Sequence, residues 1–383
     1  MPEASDLSVL IVDPNPSMRG NLQNMLSQAA ITKVEYAVNS GAAIRLLMKK
    51  PFDIILCEYD LGSGTDGQDG QQLLEDLRHH KLIGLWTIFI MLTSEAIHSR
   101  VIGAAELTPS DYILKPFTVD VLSGRITRAI ERRGIFLPTY QLIDKGDLRE
   151  AVKSCRAAEL QYPRLAGDFT RLRAELHIAL DEWEEAEQLY ADMLATRPMA
   201  WAHLGLASTL FKQQRHEDAQ QELLELVETY PRFMAAYDLL AQNYEAMGQQ
   251  IQAKQILEDA VAISPHMVRR WRHLGSIAFD TGDLGVAERA YKQVVSKAKY
   301  SEFRDPEDHV NLVKTLVKKG DAPQASTVLR DMERSCAAVP TYKPAAPSRL
   351  PCCMNCRVTT TPPPANCNWP PPPWTQRKVC QRS

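Results

Sequence analysis

Short apolar runs alternate with amphipathic stretches over the first third of the chain. Val9-Leu10-Ile11-Val12 ends at Asp13. A continuous run of this kind predicts a parallel strand covered on both faces. Met18, Leu22, Met25 and Leu26 then recur at helical spacing and predict a helix over 17–28. Val34-Glu35-Tyr36-Ala37 reads as a second strand, and Ala42, Ile44, Leu46 and Leu47 as a second helix. Ile54-Ile55-Leu56-Cys57 is a third buried strand ending at Glu58, followed by Leu73, Leu74 and Leu77 on a helix. Ile88-Phe89-Ile90-Met91-Leu92 ends at Thr93, and Tyr112-Ile113-Leu114 ends at Lys115-Pro116. A closing helix is predicted over Val119 to Arg133. Five strands interleaved with helices imply an α/β fold, a doubly wound five-stranded parallel sheet.

After residue 133 the pattern becomes periodic and helical. Ala151, Ala186, Ala219, Ala253, Ala287 and Ala325 stand 35, 33, 34, 34 and 38 residues apart. Pro163, Pro198, Pro231 and Pro265 follow the first four alanines at twelve residues. Five residues before each alanine stands glycine or a substitute: Gly146, Asp181, Gln214, Gly248, Gly282 and Gly320. The glycine position ends one helix in a left-handed turn. The alanine lets two helices approach closely, and the proline stops the second helix. A fixed period of this length means stacked helical pairs, here about six units over 134–336.

Functional groups of an open parallel sheet gather beyond the carboxyl ends of its strands. Asp13, Glu58, Thr93 and Lys115 each stand at such an end. Two carboxylates, a hydroxyl and an ammonium are the parts needed to hold a phosphoryl group on a carboxylate. With Phe52-Asp53 before the third strand and Asp111-Tyr112 opening the fifth, residues 7–133 resemble a two-component response-regulator receiver domain. The resemblance implies a flavodoxin-like fold, a cis bond at Lys115-Pro116, and a switch aromatic at Tyr112. It makes Thr93 and Lys115 the phosphate-sensing pair and Asp13 and Asp60 the acids of the pocket.

Two positions depart from the family. Pro14 stands where a second acid follows the first strand, and Glu58 stands where the acceptor Asp ends the third. Losing a carboxylate weakens a magnesium site. Glu58 is one methylene longer than Asp, which brings its carboxylate to where the oxygens of an acyl phosphate begin, within reach of Lys115 and Thr93. The expectation is a phosphorylation-independent receiver in which Glu58 mimics the acyl phosphate, with no cofactor. The alternative is a conventional phosphorelay receiver that uses magnesium and a histidine kinase, with Asp60 as the rival acceptor. Two further readings stay open: an ion pair without a signalling role, and a receiver serving as a homodimerisation cap through its fourth and fifth helices. The loop from Gly62 to Gln71 repeats Asp-Gly-Gln and reads as a tolerated insertion rather than a ligand site.

The Gly–Ala–Pro period resembles the tetratricopeptide repeat. Tyr237-Asp238-Leu239-Leu240-Ala241 with Tyr244, then Trp271, Leu274, Gly275 and Tyr291, carry the likeness best, and Lys299 replaces the fifth proline. The resemblance implies an all-α superhelix whose first helices line a concave, peptide-binding face. By position that groove includes Trp201, Leu204, Ser208, Phe211 and Lys212; Asp238, Gln242 and Glu245; and Arg269, Arg272, Ser276 and Phe279. Aromatics mixed with arginine suit protein recognition, although Trp201 and Phe279 can equally be buried between units. The paired Lys and Asn that clamp chaperone tails are not matched.

The chain has 383 residues, a prior of two to three domains. Its formal charge of −3 gives no general pull toward nucleic acid or anionic lipid. No run approaches the ~18 apolar residues of a membrane span, and the first six residues do not form a secretory signal, so a cytoplasmic protein is expected. No basic recognition helix, P-loop or HExxH is present, so a non-catalytic adaptor is expected. Residues 337–383 differ in kind: six Lys/Arg and no acid, 11 of 24 prolines and five of eight cysteines. Such a tail cannot build a core and is expected to be disordered. Its abrupt composition suggests a shifted reading frame. Its Cys352-Cys353-Met354-Asn355-Cys356 run has no frame for zinc, and no metal site is expected.

Overall fold

The structure, a computed structural model, describes residues 6–62, 69–94, 109–265, 267–298 and 305–337. Of the tandem Asp-Gly-Gln insertion, residues 63–68 lie outside these residues, as do the expected fourth receiver helix, Lys299 and the cysteine-rich tail, whereas Asp69-Gly70-Gln71 is described and opens a helix with Asp69 as its N-cap.

Strands β1 (Ser8–Val12), β2 (Lys33–Ala37), β3 (Ile54–Glu58), β4 (Ile88–Ser94) and β5 (Asp111–Lys115) form one parallel sheet in the order β2-β1-β3-β4-β5. The chain steps from β1 to β2 on one side and returns to β3 on the other, so the ligand crevice opens between the ends of β1 and β3. Val12 pairs with Cys57, which brings Asp13 and Glu58 side by side. Alternate residues of each strand enter different cores. Leu10, Val12, Ile55, Cys57, Phe89 and Met91 face α2 (Ser40–Leu47) and α3 (Gly70–His79). Val9, Ile11, Ile54, Leu56, Ile90 and Leu92 face α1 (Pro16–Gln28) and α4 (Val119–Lys145).

The closing helix does not stop at Arg133. It runs on to Lys145 and is also the first helix of the first repeat. Between Asp120 and Leu137 the sequence has no proline, and Gly146 ends the helix at φ 82°. Pro138 sits inside the helix with its ring exposed, where the carbonyl it leaves unbonded can turn to solvent. The domain boundary expected at 133/134 therefore falls mid-helix. Phe136 stacks on Phe169 at 4.1 Å between ring centres, and Arg132 donates to Asp168 at 2.7 Å. Receiver and repeats form one compact unit.

The repeats continue as α5 (Leu148–Gln161), α6 (Ala166–Ala179), α7 (Trp183–Thr196), α8 (Ala200–Lys212), α9 (His216–Thr229), α10 (Met234–Ala246), α11 (Gln250–Ile263), α12 (Val268–Asp280), α13 (Leu284–Ala298), α14 (Pro306–Lys319) and α15 (Ala322–Ala337). All six turn positions take the left-handed conformation, including Asp181 (φ 57°) and Gln214 (φ 62°). All six period alanines are buried. Gly205 and Gly275 admit the rings of Tyr190 and Tyr291, which a Cβ would meet at 2.3 and 2.9 Å.

A left-handed L-residue costs roughly 1–2 kcal/mol, against 0.5–1 for the extra chain entropy of glycine. Gln214→Gly is therefore expected to stabilise the chain by about 0.5–1 kcal/mol in urea unfolding.

Candidate functional site

Asp13 follows the last residue of β1 and is 1% exposed. Its Oδ1 accepts the Asn15 N–H at 2.8 Å, because Asn15 caps α1 and turns the backbone back over the carboxylate. Its Oδ2 lies 3.4 Å from Lys115 Nζ. Glu58, the last residue of β3, reaches across to the same ammonium and pairs with it through Oε2. Its Oε1 accepts the Asp60 N–H at 3.2 Å. Pro14 contributes only its carbonyl oxygen, which accepts from Arg19 at 3.0 Å. Lys115 thus bridges two carboxylates from two adjacent strands. The Cys57 thiol behind them is pushed far up, first by burial and then by the negative charge of Glu58, Asp69 and Asp13.

The other predicted residues divide. Thr93 is buried at the end of β4, and its hydroxyl donates to the Ser94 carbonyl at 3.3 Å rather than to Glu58. Asp60 is exposed beyond the strand, where its Oδ1 accepts the Gly62 N–H at 3.1 Å. Tyr112 packs inward on the α2/α3 core beside Tyr59, and burial pushes its phenol up to about 12. Lys115-Pro116 is cis.

A second concavity of about 760 Å³ opens along the repeats. Trp201, Leu204, Ser208, Asp238, Gln242 and Arg269 line it. Phe211, Lys212, Arg272, Ser276 and Phe279 do not. Arg272 grips Asp308 through bonds of 2.6 and 2.7 Å, and Phe279 lies under Lys318 at 4.3 Å. Phe211 meets His216 edge-on at 5.4 Å. Sequence reasoning missed Arg171, whose guanidinium lies 4.9 Å over the Trp201 ring, and the Arg270–Asp238 pair with two bonds of 2.7 Å. It also missed Arg78, which joins the lining from α3. Nothing local to these arginines signals the role, which comes from contacts between distant segments.

Comparison with known proteins identifies the two kinds of domain. Residues 9–127 match the model of the response regulator receiver domain, and 177–232 and 235–267 match tetratricopeptide repeat models. The chain carries a receiver domain followed by tetratricopeptide repeats. Chemotaxis protein CheY-3 of Vibrio cholerae is 28% identical over 127 residues, which is 33% of this chain and 94% of that protein. Chemotaxis protein CheY of Pseudomonas aeruginosa is 29% identical over 126 residues, 33% and 98% of the two chains. Among solved structures, Pseudomonas aeruginosa pilF aligns at a TM-score of 0.42 and 17% identity, covering 56% of this chain and 95% of that one. A tetratricopeptide repeat protein from Parabacteroides merdae aligns at 0.39 and 18%, covering 53% and 78%. Repeats of this kind are protein–protein interaction modules. No helix among the described residues is long and apolar enough to cross a membrane.

Removing the ammonium leaves two adjacent carboxylates without their common partner. Lys115→Met is expected to destabilise the receiver by about 3 kcal/mol, the low end for a broken buried pair, since the lysine side chain is 25% exposed. Adding Glu58→Gln is expected to recover most of that loss in a double-mutant cycle followed by urea unfolding.

Proposed function

We propose that this protein is a signal-transduction adaptor whose receiver works without phosphorylation and whose repeats bind a protein partner. The pairing of Glu58 with Lys115 supports the first part most directly. In this reading the glutamate supplies, as a permanent side chain, negative charge that a phosphorylated receiver acquires from a donor. Both its oxygens already hold donors: Lys115 on one and the Asp60 N–H on the other. An attack on an incoming phosphoryl group would have to break the ion pair first.

The donor set does not suit magnesium. Mg²⁺ demands near-octahedral oxygen geometry and is usually held by one or two carboxylates with water and phosphate. Here the oxygens of Asp13 face Asn15 N–H and Lys115, those of Glu58 face Lys115 and Asp60 N–H, and the Pro14 side chain offers none. In this account the protein is not an enzyme, and its output is the partner bound by the repeats.

Incubation of the full chain with acetyl phosphate and magnesium is expected to leave its intact mass unchanged. The double substitution Pro14→Asp/Glu58→Asp is expected to gain one phosphoryl group. A stoichiometric phosphoryl adduct on the unaltered chain, whether mapped to Glu58 or to Asp60, would overturn the phosphorylation-independent reading.

A further inference from the structure

The repeat groove is not built by the repeats alone. Arg78, in the last turn of the receiver's α3, lines it together with Trp201, Asp238 and Arg269. The end of α3 lies beside α12 as well. The His80 imidazole is pushed down by burial and then by His79 and Arg269. The Arg272 guanidinium, raised mainly by its hydrogen bonds to Asp308, also feels Asp76. The receiver thus closes one wall of the concavity that the repeats open.

The charge of that lining is one-sided. Among the described residues it holds four arginines, Arg78, Arg171, Arg269 and Arg270, against two carboxylates, Glu175 and Asp238. Asp238 is taken by Arg270, which is 2% exposed and held through both oxygens. Glu175 is taken by Arg171 at 2.9 Å. Among the described lining residues arginines thus outnumber carboxylates by two, with Arg78 coming from the receiver and Arg269 from the repeats. A volume of about 760 Å³ lies within the range of ligand clefts. The Trp201 indole, with Arg171 lying 4.9 Å over its ring, adds an apolar surface to the lining. The segment 337–383, with six Lys/Arg and no acid, has the wrong sign to fill it.

We propose that the groove is a composite site for an acidic peptide segment, whose carboxylates are held jointly by Arg78 of the receiver and Arg269 of the repeats. The inference rests on the reading that the repeats bind a protein partner, and it adds the partner's chemistry and the receiver's share in holding it. It also ties the two sites together. The α3 helix starts at Gly70, whose N–H bonds the Tyr59 carbonyl at 2.8 Å, next to Glu58. A ligand on Arg78 is thus held by the helix that leaves the receiver pocket.

Fluorescence anisotropy of the full chain tests this with a fluorescein-labelled glutamate-rich peptide containing one leucine, and a lysine-rich counterpart. The glutamate peptide is expected to bind saturably and at least about tenfold more tightly than the lysine peptide. Arg269→Glu and Arg78→Glu are each expected to weaken it by about tenfold or more, and Arg78→Lys by less than about threefold. Arg215→Glu, which changes the net charge equally at an exposed pair with Glu187 outside the groove, is expected to leave affinity unchanged. If Arg78→Glu fails to give the parent circular dichroism spectrum, Arg78→Gln decides in its place. Loss with Arg269→Glu but not with the Arg78 variants would overturn the composite site and leave the repeat groove standing. Equal binding by all variants, no saturable binding, or preference for the lysine peptide would overturn the acidic ligand.

Discussion

One ammonium, that of Lys115, lies between two carboxylates at the point where the sheet reverses its strand order. Asp13 comes from the end of β1, Glu58 from the end of β3, and Lys115 from the end of β5. The first two are neighbours because Val12 pairs with Cys57. Two carboxylates on neighbouring strand ends share this one cation. The lysine therefore holds the conformation of the pocket. Asp13 cannot turn away, because its other oxygen is held by the backbone that starts α1. Glu58 cannot reach outward without surrendering the Asp60 N–H.

The rest of the chain is arranged to carry what this pocket fixes. One helix, α4, closes the receiver and opens the repeats without a break. A linker would let the two parts reorient, whereas a 27-residue helix fastened by the Phe136–Phe169 stack and the Arg132–Asp168 bond resists it. The close packing at the period alanines then passes rigidity from one helix pair to the next. The receiver thus presents the end of α3, with Arg78, to the concave face.

Much of this was legible in the chain because it rests on local rules. Buried parallel strands read as apolar runs, and their polar ends marked the crevice. The turn positions were legible even where glycine is absent, since the 34-residue period required Asp181 and Gln214 to take a left-handed conformation that their own chemistry disfavours. The fused helix was not legible at its true length. The apolar spacing was followed only to Arg133, and the helix continues through Pro138, whose ring is exposed. Nor was the division of the groove residues legible. Arg269 and Arg272 are three apart on one helix, yet the first faces the cavity and the second is taken by Asp308, 36 residues on. Arg78 gave no local sign, because its neighbours there come from the repeats.

The central claim is that the pocket's negative charge is already in place as a side chain. Heteronuclear NMR of the isotopically labelled full chain, titrated with beryllofluoride and magnesium, tests it most directly. The account predicts that the backbone amides of Glu58, Thr93 and Tyr112 and the side-chain signals of Lys115 stay where they are. A saturable shift of those resonances, dependent on both ions together, would contradict it.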